Sequence, residues 1–532
     1  MNRREFFRRS IPAATLPFLI GGYRVHAYGR TPLLEALLSA SATDRVLVLV
    51  QLNGGNDGLN TVIPLDGFSQ LAAARQNILL DESKVLKLTD ATGLHPAMTG
   101  MQGLFQNGQL AVVQGVSYPN PNFSHFRATD IWLTAADYNQ ILTSGWLGRY
   151  LDQEFPGYPD GYPSAAMPDP LGIQIGSIVT PAFNGPANSM GLAITDPTAT
   201  YILPGGSDVS PSTPAGHELT FIRQVAEQAQ SYSTVVKAAA AKASNKSTLY
   251  PTKGQNSLAD QLRIVAQLIA GGLKTRIYVV NLGGFDTHSA QVDKTDFTIG
   301  TQATLLGRLS VAITAFLDDI RLLGMQDRVI GMTFSEFGRR IKSNASLGTD
   351  HGTAAPVFVF GAKVNGGLVG ANPVLPASAG VNDNLAMQYD FRSVYATILQ
   401  DWFGASGTEL SAVLLKSFQK LPLITPSSIL AVEEPQQVPQ SFGLDQNYPN
   451  PFNPSTTISY ELASPSDVTL TIYDALGREV TRLVSSPQAG GRYTVRWDGS
   501  RLSSGTYFYR LEARSTAGSG SFVQTKEMTL IR

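Results

Sequence analysis

No cysteine occurs anywhere in this chain of 532 residues. That absence excludes a disulfide framework, a thiol nucleophile and cysteine-ligated zinc. Charge is scarce as well: Asp, Glu, Lys and Arg together make up 15% of the residues, against roughly 25% in ordinary soluble domains. Ser, Thr, Asn, Gln, Gly and Pro take their place, a composition met more often in exported proteins. Lys plus Arg is 40 and Asp plus Glu is 41, so the net charge is −1, and no basic run lies beyond the first ten residues. This balance lacks the electrostatic footprint of a nucleic-acid binder. No apolar run reaches the ~20 residues of a membrane-spanning helix. Histidine is sparse, with six in all.

What is present is enough hydrophobic material, 43% of residues, for a large core, in a chain long enough for two or three domains. The amino terminus carries Arg3, Arg4, Arg8 and Arg9, then a short apolar segment from Ile11 to Gly22, then Val25-His26-Ala27 with small residues placed for a cut after Ala27. The Arg-Arg-x-Phe-Phe order from Arg3 to Phe7 resembles the twin-arginine signal, whose pathway exports folded proteins; a plain secretory signal is the alternative. Either reading makes residues 1–27 a signal peptide and sends the protein through the periplasm.

Beyond it, Arg45 to Leu52 is a continuous β-branched and leucine run, as suits a strand covered on both faces of a parallel sheet. Its end, Asn53-Gly54-Gly55-Asn56-Asp57, turns sharply and brings Asp57 to the strand's carboxyl end. Gly108 to Val116 predicts a second strand. Phe123 to Trp132 then reads as a helix start, with Ser124 either capping it or offering its hydroxyl where free N–H groups favour an anion. Residues 150–215, rich in Pro, Gly and Ser, read as an irregular insertion or lid. Ser257 to Leu273 has helical apolar spacing, and Ile277 to Asn281 predicts a third strand that runs into Asp286-Thr287-His288. A long amphipathic helix follows through Leu306, Leu309, Ile313, Phe316, Ile320 and Leu323. A fourth strand, Arg328 to Phe334, ends in Ser335 and Glu336, and a polar loop leads to Asp350-His351. Strand, helix, strand in that order makes an α/β fold with a largely parallel sheet.

From about Leu421 the composition changes. Four prolines and two adjacent glutamates by Gln440 mark a linker. Short alternating runs separated by Gly, Asp and Ser turns follow, the pattern of an all-β sandwich. The expected organisation is a signal at 1–27, an α/β domain at 28–424, a linker at 425–444 and a β-sandwich at 445–532.

The chemistry-bearing residues gather at predicted strand ends: Asp57, Asp286 and His288, Glu336, and Asp350 with His351. Ligands in open α/β sheets bind beyond the carboxyl ends of the strands. Carboxylates mixed with imidazoles suit zinc, manganese, iron or magnesium-type ions. The competing reading is that these are ordinary loop polar residues. His125 is either a substrate contact or a cap partner for Ser124, and His95 reads as a structural hydrogen-bonder.

Residues of about 45 to 420 carry the motifs NGGNDGLNTVIP, LHPAM, NFSHFRATDIW, GWLGRYL, GGFDTH, TFSEFGRR and GTDHGTAAPVFVFG. In these they resemble the exported bacterial family catalogued as domain of unknown function 1501, grouped with the alkaline phosphatase and sulfatase superfamily. The resemblance implies an alkaline phosphatase-like α/β fold and one or two divalent ions, zinc, manganese or calcium. It further implies Asp57, Asp286, His288, Glu336 and His351 as candidate ligands and Ser124 as candidate nucleophile. Asp350 joins that ligand set through its place beside His351, and on a hydrolase reading His125 contacts the substrate while Arg127 or Arg339 clamps its anionic group. Two features depart from the superfamily: one residue rather than three separates Asp286 from His288, and Glu336-Phe337 stands where Asp-His is common. The tail resembles the sorting domains of the type IX secretion system and the Ig-like module of flagellar hook-capping proteins. The matching residues are Asn447 to Ile458, Ile472-Tyr473-Asp474 with Gly477-Arg478, Leu502 to Tyr509 and Lys526 to Arg532. That resemblance implies passage through type IX machinery to the cell surface or medium. Two functions are therefore expected in competition: a metal-dependent hydrolase of phosphate or sulfate esters, or a binding scaffold that keeps the fold without turnover.

Overall fold

A computed structural model describes residues 17–20, 23–26, 44–198, 213, 230, 232–425, 441–447 and 450–531, apart from 489, 501 and 517–519. The expected signal at 1–27 lies mostly outside the described residues, as do 426–440 of the expected linker. The chain divides into two compact units, 1–426 and 427–532.

The first unit is built on one mixed sheet. Its strands are β1 Val46–Asn53, β2 Leu110–Ser117, β3 Gly172–Ile175, β4 Gly191–Ile194, β5 Ile277–Gly283, β6 Val329–Phe334, β9 Ala355–Phe360, β10 Gly367–Val369 and β11 Tyr389–Asp390. Between β6 and β9 lies a separate hairpin of β7 Arg339–Ser343 and β8 Thr349–His351. The sheet order is β10-β2-β9-β6-β1-β5-β3-β4, with β11 also paired to β2. Every pairing is parallel except those of β9 with β2 and β6. The expected mostly parallel α/β sheet is what the chain forms.

The apolar runs of the central strands follow from their position. Leu47 and Leu49 of β1 point into one core, with Trp132, Trp146, Phe391 and Tyr395. Val46, Val48, Val50 and Leu52 point into another, with Leu262, Val265, Leu306, Ile313 and Phe316. A strand buried on both faces has no position where a polar residue would face water. Helices α1 Phe68–Arg75, α2 Thr99–Gln106, α3 His125–Thr134, α4 Trp146–Glu154, α5 Ser257–Ala270, α6 Thr301–Leu322 and α7 Phe391–Thr397 cover the sheet or flank it. The apolar stripes of α5 and α6 sit on the second face, as their three- and four-residue spacing predicts.

Two expectations need correction. The segment 150–215 is not wholly irregular: β3 and β4, each of 4 residues, extend one edge of the sheet. The polar stretch before Asp350 is not a loop but the β7–β8 hairpin, in which Arg339 pairs with His351.

The second unit is all β among its described residues. Strands β12 Gly443–Leu444, β13 Ser455–Leu462 and β16 Gly491–Asp498 form one antiparallel sheet. Strands β14 Ser466–Asp474, β15 Glu479–Gln488, β17 Gly505–Ser515 and β18 Ser521–Leu530 form another. Alternate residues of both sheets, including Ile458, Tyr460, Leu470, Ile472, Tyr509 and Leu511, share one core, the arrangement of a β-sandwich.

Two glycines give opposite predictions. A Cβ on Gly331, in β6, would lie 2.2 Å from Cζ of Phe360, whose side chain is fully buried. Gly331→Ala is expected to destabilise by about 1–3 kcal/mol through overpacking. Gly103, inside α2, has nothing within 4 Å of a built Cβ, so Gly103→Ala is expected to stabilise by about 0.5–1 kcal/mol. Chemical denaturation midpoints of the two variants measure both signs.

Candidate metal centre

Strands β1, β5 and β6 lie side by side and end together: Gly283 pairs with Asn53, and Phe334 with Gln51. The segments that leave them therefore start from one sheet edge. Close approach of these segments needs glycine. Gly54 has φ +122° and Gly55 +79°. A Cβ on Gly54 would meet the backbone N of Asp286 at 2.3 Å, and one on Gly55 would meet the Phe337 ring at 2.3 Å.

His125, Asp286 and His351 offer ligand atoms that all lie within 4.8 Å of one another. Asp286 is the hub. Its Oδ2 is 3.5 Å from His125 Nε2, and its Oδ1 is 3.1 Å from His351 Nε2 and 3.2 Å from His288 Nε2. The His288 and His351 Nε2 atoms are 2.9 Å apart. Each imidazole is tethered through its other nitrogen. His125 Nδ1 meets Glu336 Oε1 at 2.8 Å, His288 Nδ1 meets Asp350 Oδ1 at 3.1 Å, and His351 Nδ1 meets the Phe123 carbonyl at 2.8 Å. Carboxylates and carbonyls only accept, so in the neutral rings these bonds fix the protons on Nδ1 and leave the Nε2 lone pairs facing inward.

This donor set fits a divalent cation. For metal–ligand bonds of about 2.0–2.2 Å, neighbouring ligand atoms stand about 2.8–3.6 Å apart across octahedral and tetrahedral geometries. The spacings of Asp286 to His125 and His351, 3.5 and 3.1 Å, fall in that range, while His288 lies outside the close group formed by those three residues. Two inward lone pairs at 2.9 Å repel unless a proton or a cation lies between them. An acceptor on the far nitrogen of each ring is also the usual support of metal-binding histidines.

At acid pH, protons on the Nε2 atoms take the place of a cation beside Asp286. Burial pushes the Asp286 carboxyl up, but hydrogen bonds from Arg339 and His351, with the positive charge of Arg339 and of His288, outweigh it and hold the group down at about 2. Burial is the main reason that His351 is lowered; its bonds to Asp286 and the Phe123 carbonyl oppose this, and the charge of Arg339 adds to it. Asp350 is likewise lowered, burial being overcome by bonds from Asn344 and His288.

Other expected residues lie elsewhere or do other work. Asp57 is fully buried and bonded to Arg75 Nη1 through both oxygens, at 2.8 and 2.7 Å, and to Gln291 Nε2 at 2.7 Å. Its lone pairs are engaged away from the histidines. Glu336 is buried and supports His125 while its Oε1 also accepts the Gly54 N–H at 2.9 Å. Arg339 is fully buried, with its Nε bonded to the Gly55 carbonyl and its Nη1 to that of Thr349. Its Nη2 serves the carbonyls of Gly54 and Phe285 and Asp286 Oδ1, so all three nitrogens are turned to the fold, and the side chain, 0% exposed, is not presented to a substrate. Arg127 is held by Asp130 and the carbonyls of Asp137, Tyr138 and Gln140. Ser124 occupies the N-cap of α3 without a side-chain cap bond and is exposed. His95 is buried, with Nδ1 accepting the Ala97 N–H; burial lowers it to about 4. Sequence reasoning missed Phe123, whose main-chain carbonyl holds His351, and Gln291, an uncharged loop residue without a motif.

Comparison with known proteins follows the two units. Residues 205–413 match the family described as "Protein of unknown function (DUF1501)", and residues 446–524 match "Secretion system C-terminal sorting domain". The chain is thus similar to the first family over 205–413 and carries a sorting tail of the type IX kind, whose destination is the cell surface or the extracellular space. Among solved structures, the chain is similar to dimeric latent PorU from Porphyromonas gingivalis at 25% identity and a TM-score of 0.15. That match covers 17% of this chain and 9% of PorU. PorZ, an essential surface component of the type IX secretion system of Porphyromonas gingivalis, is 24% identical over 17% of this chain and 12% of its own, with a TM-score of 0.12. The chain thus spans only a small part of both. A protein in the alkaline phosphatase superfamily from Vibrio parahaemolyticus is 10% identical over 87% of this chain and 81% of its own, with a TM-score of 0.32. No curated protein matches the chain.

The depressed carboxyl of Asp286 predicts a pH dependence. Its folded value of about 2 lies below the unfolded value of about 3.9. The stabilisation from its ionised form is therefore complete above roughly pH 4 and is lost as pH falls through about 2. In protein freed of metal, Asp286→Asn is expected to melt below wild type near pH 6, with the gap closing between about pH 4 and 2. Thermal midpoints of both proteins across that window provide the check.

Proposed function

We propose that the α/β unit is an exported, metal-dependent hydrolase of phosphate or sulfate esters, with the ion held by His125, Asp286 and His351 and with His288 alongside. One observation carries the reading: three imidazoles, each tethered at Nδ1, turn their Nε2 atoms toward one carboxylate. The donors, imidazole nitrogens around a carboxylate oxygen, favour zinc, manganese or iron over calcium, which prefers an all-oxygen shell. A bound divalent ion would supply Lewis-acid polarisation of the ester oxygen. The chain's residues do the rest. Glu336, Asp350 and the Phe123 carbonyl keep the ring protons on Nδ1, so each Nε2 is free to bind. Asp286 stays ionised at any physiological pH. Ser124 lies one residue before His125, exposed and without a cap bond, the condition a nucleophilic hydroxyl requires. The separate sorting tail suits an enzyme delivered to substrates outside the cell.

A specific observation favours a second reading, a surface protein that binds the ion without turnover. Arg127 and Arg339, the expected anion clamps, are both engaged within the fold.

Elemental mass spectrometry of the purified chain is expected to find one or two equivalents of zinc, manganese or iron, and His351→Ala to lose most of it. With the ion present, aryl phosphates or aryl sulfates are expected to be hydrolysed. Ser124→Ala is expected to lower kcat by about 10²-fold or more with unchanged metal content. An ion-loaded wild type that turns over none of these esters selects the binding protein; a chain that takes up no ion removes both readings.

A further inference from the structure

Asp57 shares the sequence pattern of Asp286, an acid just past a glycine turn at a strand end, yet it holds a cation of the chain itself. Its carboxylate is paired with Arg75, and both side chains are 2% exposed or less. Arg75 bonds onward to the main-chain carbonyls of Ile341 and Arg340 in β7, at 2.6 Å each. On its other side, Asp57 Oδ2 accepts from Gln291 Nε2 at 2.7 Å. Gln291 is 0% exposed, and its Oε1 accepts from two hydroxyls, Thr287 Oγ1 at 3.1 Å and Thr349 Oγ1 at 2.9 Å.

Those threonines sit at telling places. Thr287 lies between Asp286 and His288, and Thr349 immediately precedes Asp350 and His351. One amide oxygen therefore ties together the two segments that carry most of the candidate ligands. The main chain backs this up, since the Thr349 N–H donates to the Thr287 carbonyl at 3.2 Å and the Gln291 N–H to the Leu347 carbonyl at 2.8 Å.

We propose that Asp57 and Gln291 are positioning residues of the metal centre: a buried relay from Arg75 through Asp57 and Gln291 to Thr287 and Thr349 sets the distance between His288 and His351. The inference rests on the metal-binding reading given above. The donor order along the relay is forced at each step. Arg75 can only donate, so the Asp57 carboxylate accepts from it and from Gln291. The amide must then turn its oxygen to the threonines. Reversing the Asp57–Gln291 link alone leaves two donors or two acceptors face to face in a buried site, unless the Gln291 amide turns over and gives up the two bonds it now accepts from Thr287 and Thr349. Reversing both links restores the chain of bonds.

That logic supplies the test. In Asp57→Asn, the new amide needs an acceptor where Gln291 presents a donor. In Gln291→Glu, a carboxylate faces the carboxylate of Asp57. In the double variant Asp57→Asn/Gln291→Glu, the amide donates to the carboxylate, both threonines keep their acceptor, and the total charge equals that of wild type. Each single substitution is expected to weaken Zn(II) and Co(II) binding about 10–100-fold, the range of second-layer changes at metal sites, and to alter the Co(II) d–d absorption. The double variant is expected to recover both affinity and spectrum. Thr349→Val, which leaves the ion pair alone, is expected to give a smaller loss in the same direction and keeps the test open should a charged variant fail to fold. Folded variants that bind both ions as wild type does would overturn the proposal, as would a double variant no better than the singles. Should wild type bind neither ion, the metal reading fails by itself. The relay is then read in the ion-free chain from the imidazole 15N shifts of His288 and His351. Shifts moved by the singles and restored by the double support it, and unmoved shifts overturn it.

Discussion

The guanidinium of Arg339 is the interaction on which the site depends. A cation without solvent contact is tolerable only when every donor is met and its charge is balanced. Here the acceptors are carbonyls of Gly54, Gly55, Phe285 and Thr349 and one oxygen of Asp286. Those groups belong to three separate segments, so one planar fork sets where all three lie. Lysine, with a single nitrogen, cannot reach five acceptors in that geometry. The same fork keeps Asp286 ionised and aims its carboxylate at the histidines. The glycines at 54 and 55 complete the arrangement, because a side chain at either would push the Asp286 backbone or the Phe337 ring away.

Much of this was legible in the sequence, and the reasons differ from element to element. The central strands announce themselves because burial on both faces admits only apolar side chains, as from Val46 to Val50. The long helix announces itself because one face must repeat every three or four residues, as from Leu306 to Ile320. Asp286 and His288 were legible because they follow a strand that the parallel sheet brings to its edge, whereas His351 is carried there by the separate β7–β8 hairpin. Local pattern could not separate Asp57 from Asp286. What separates them is Arg75, 18 residues further on in a helix, and no periodicity links the two. The strands Gly172–Ile175 and Gly191–Ile194 are too short, among too many prolines and glycines, to stand out. The β7–β8 hairpin was obscured for another reason: its polar residues, Arg339 above all, point inward to bond main chain.

The arginines teach the same lesson in chemical terms. A basic residue beside a predicted anion site invites the reading of a clamp. Main-chain carbonyls that converge inside the fold are an equally strong attraction, and they carry no mark in the sequence. Arg339 and Arg127 each went to carbonyls. The tail, by contrast, was read well because its folding is local: alternating residues from Ser455 to Leu462 bury every second side chain in a core made wholly of that unit's own residues.

The ligand set also fixes an electrical property of the site. Asp286 is its only charged donor, and the three rings contribute none when neutral. A divalent ion seated there would keep about one unit of positive charge within its own ligand shell, while the carboxylates of Glu336 and Asp350 behind the histidines offset the charge of Arg339 and the remainder. The ligands are open to water, with Asp286 49% and His288 44% exposed, so the ion itself would face outward into solvent. An ion exposed in such a shell could still bind an anionic oxygen directly. In this chain the grip on a negatively charged partner would thus come from the inorganic ion, while the neighbouring arginine is given over to architecture.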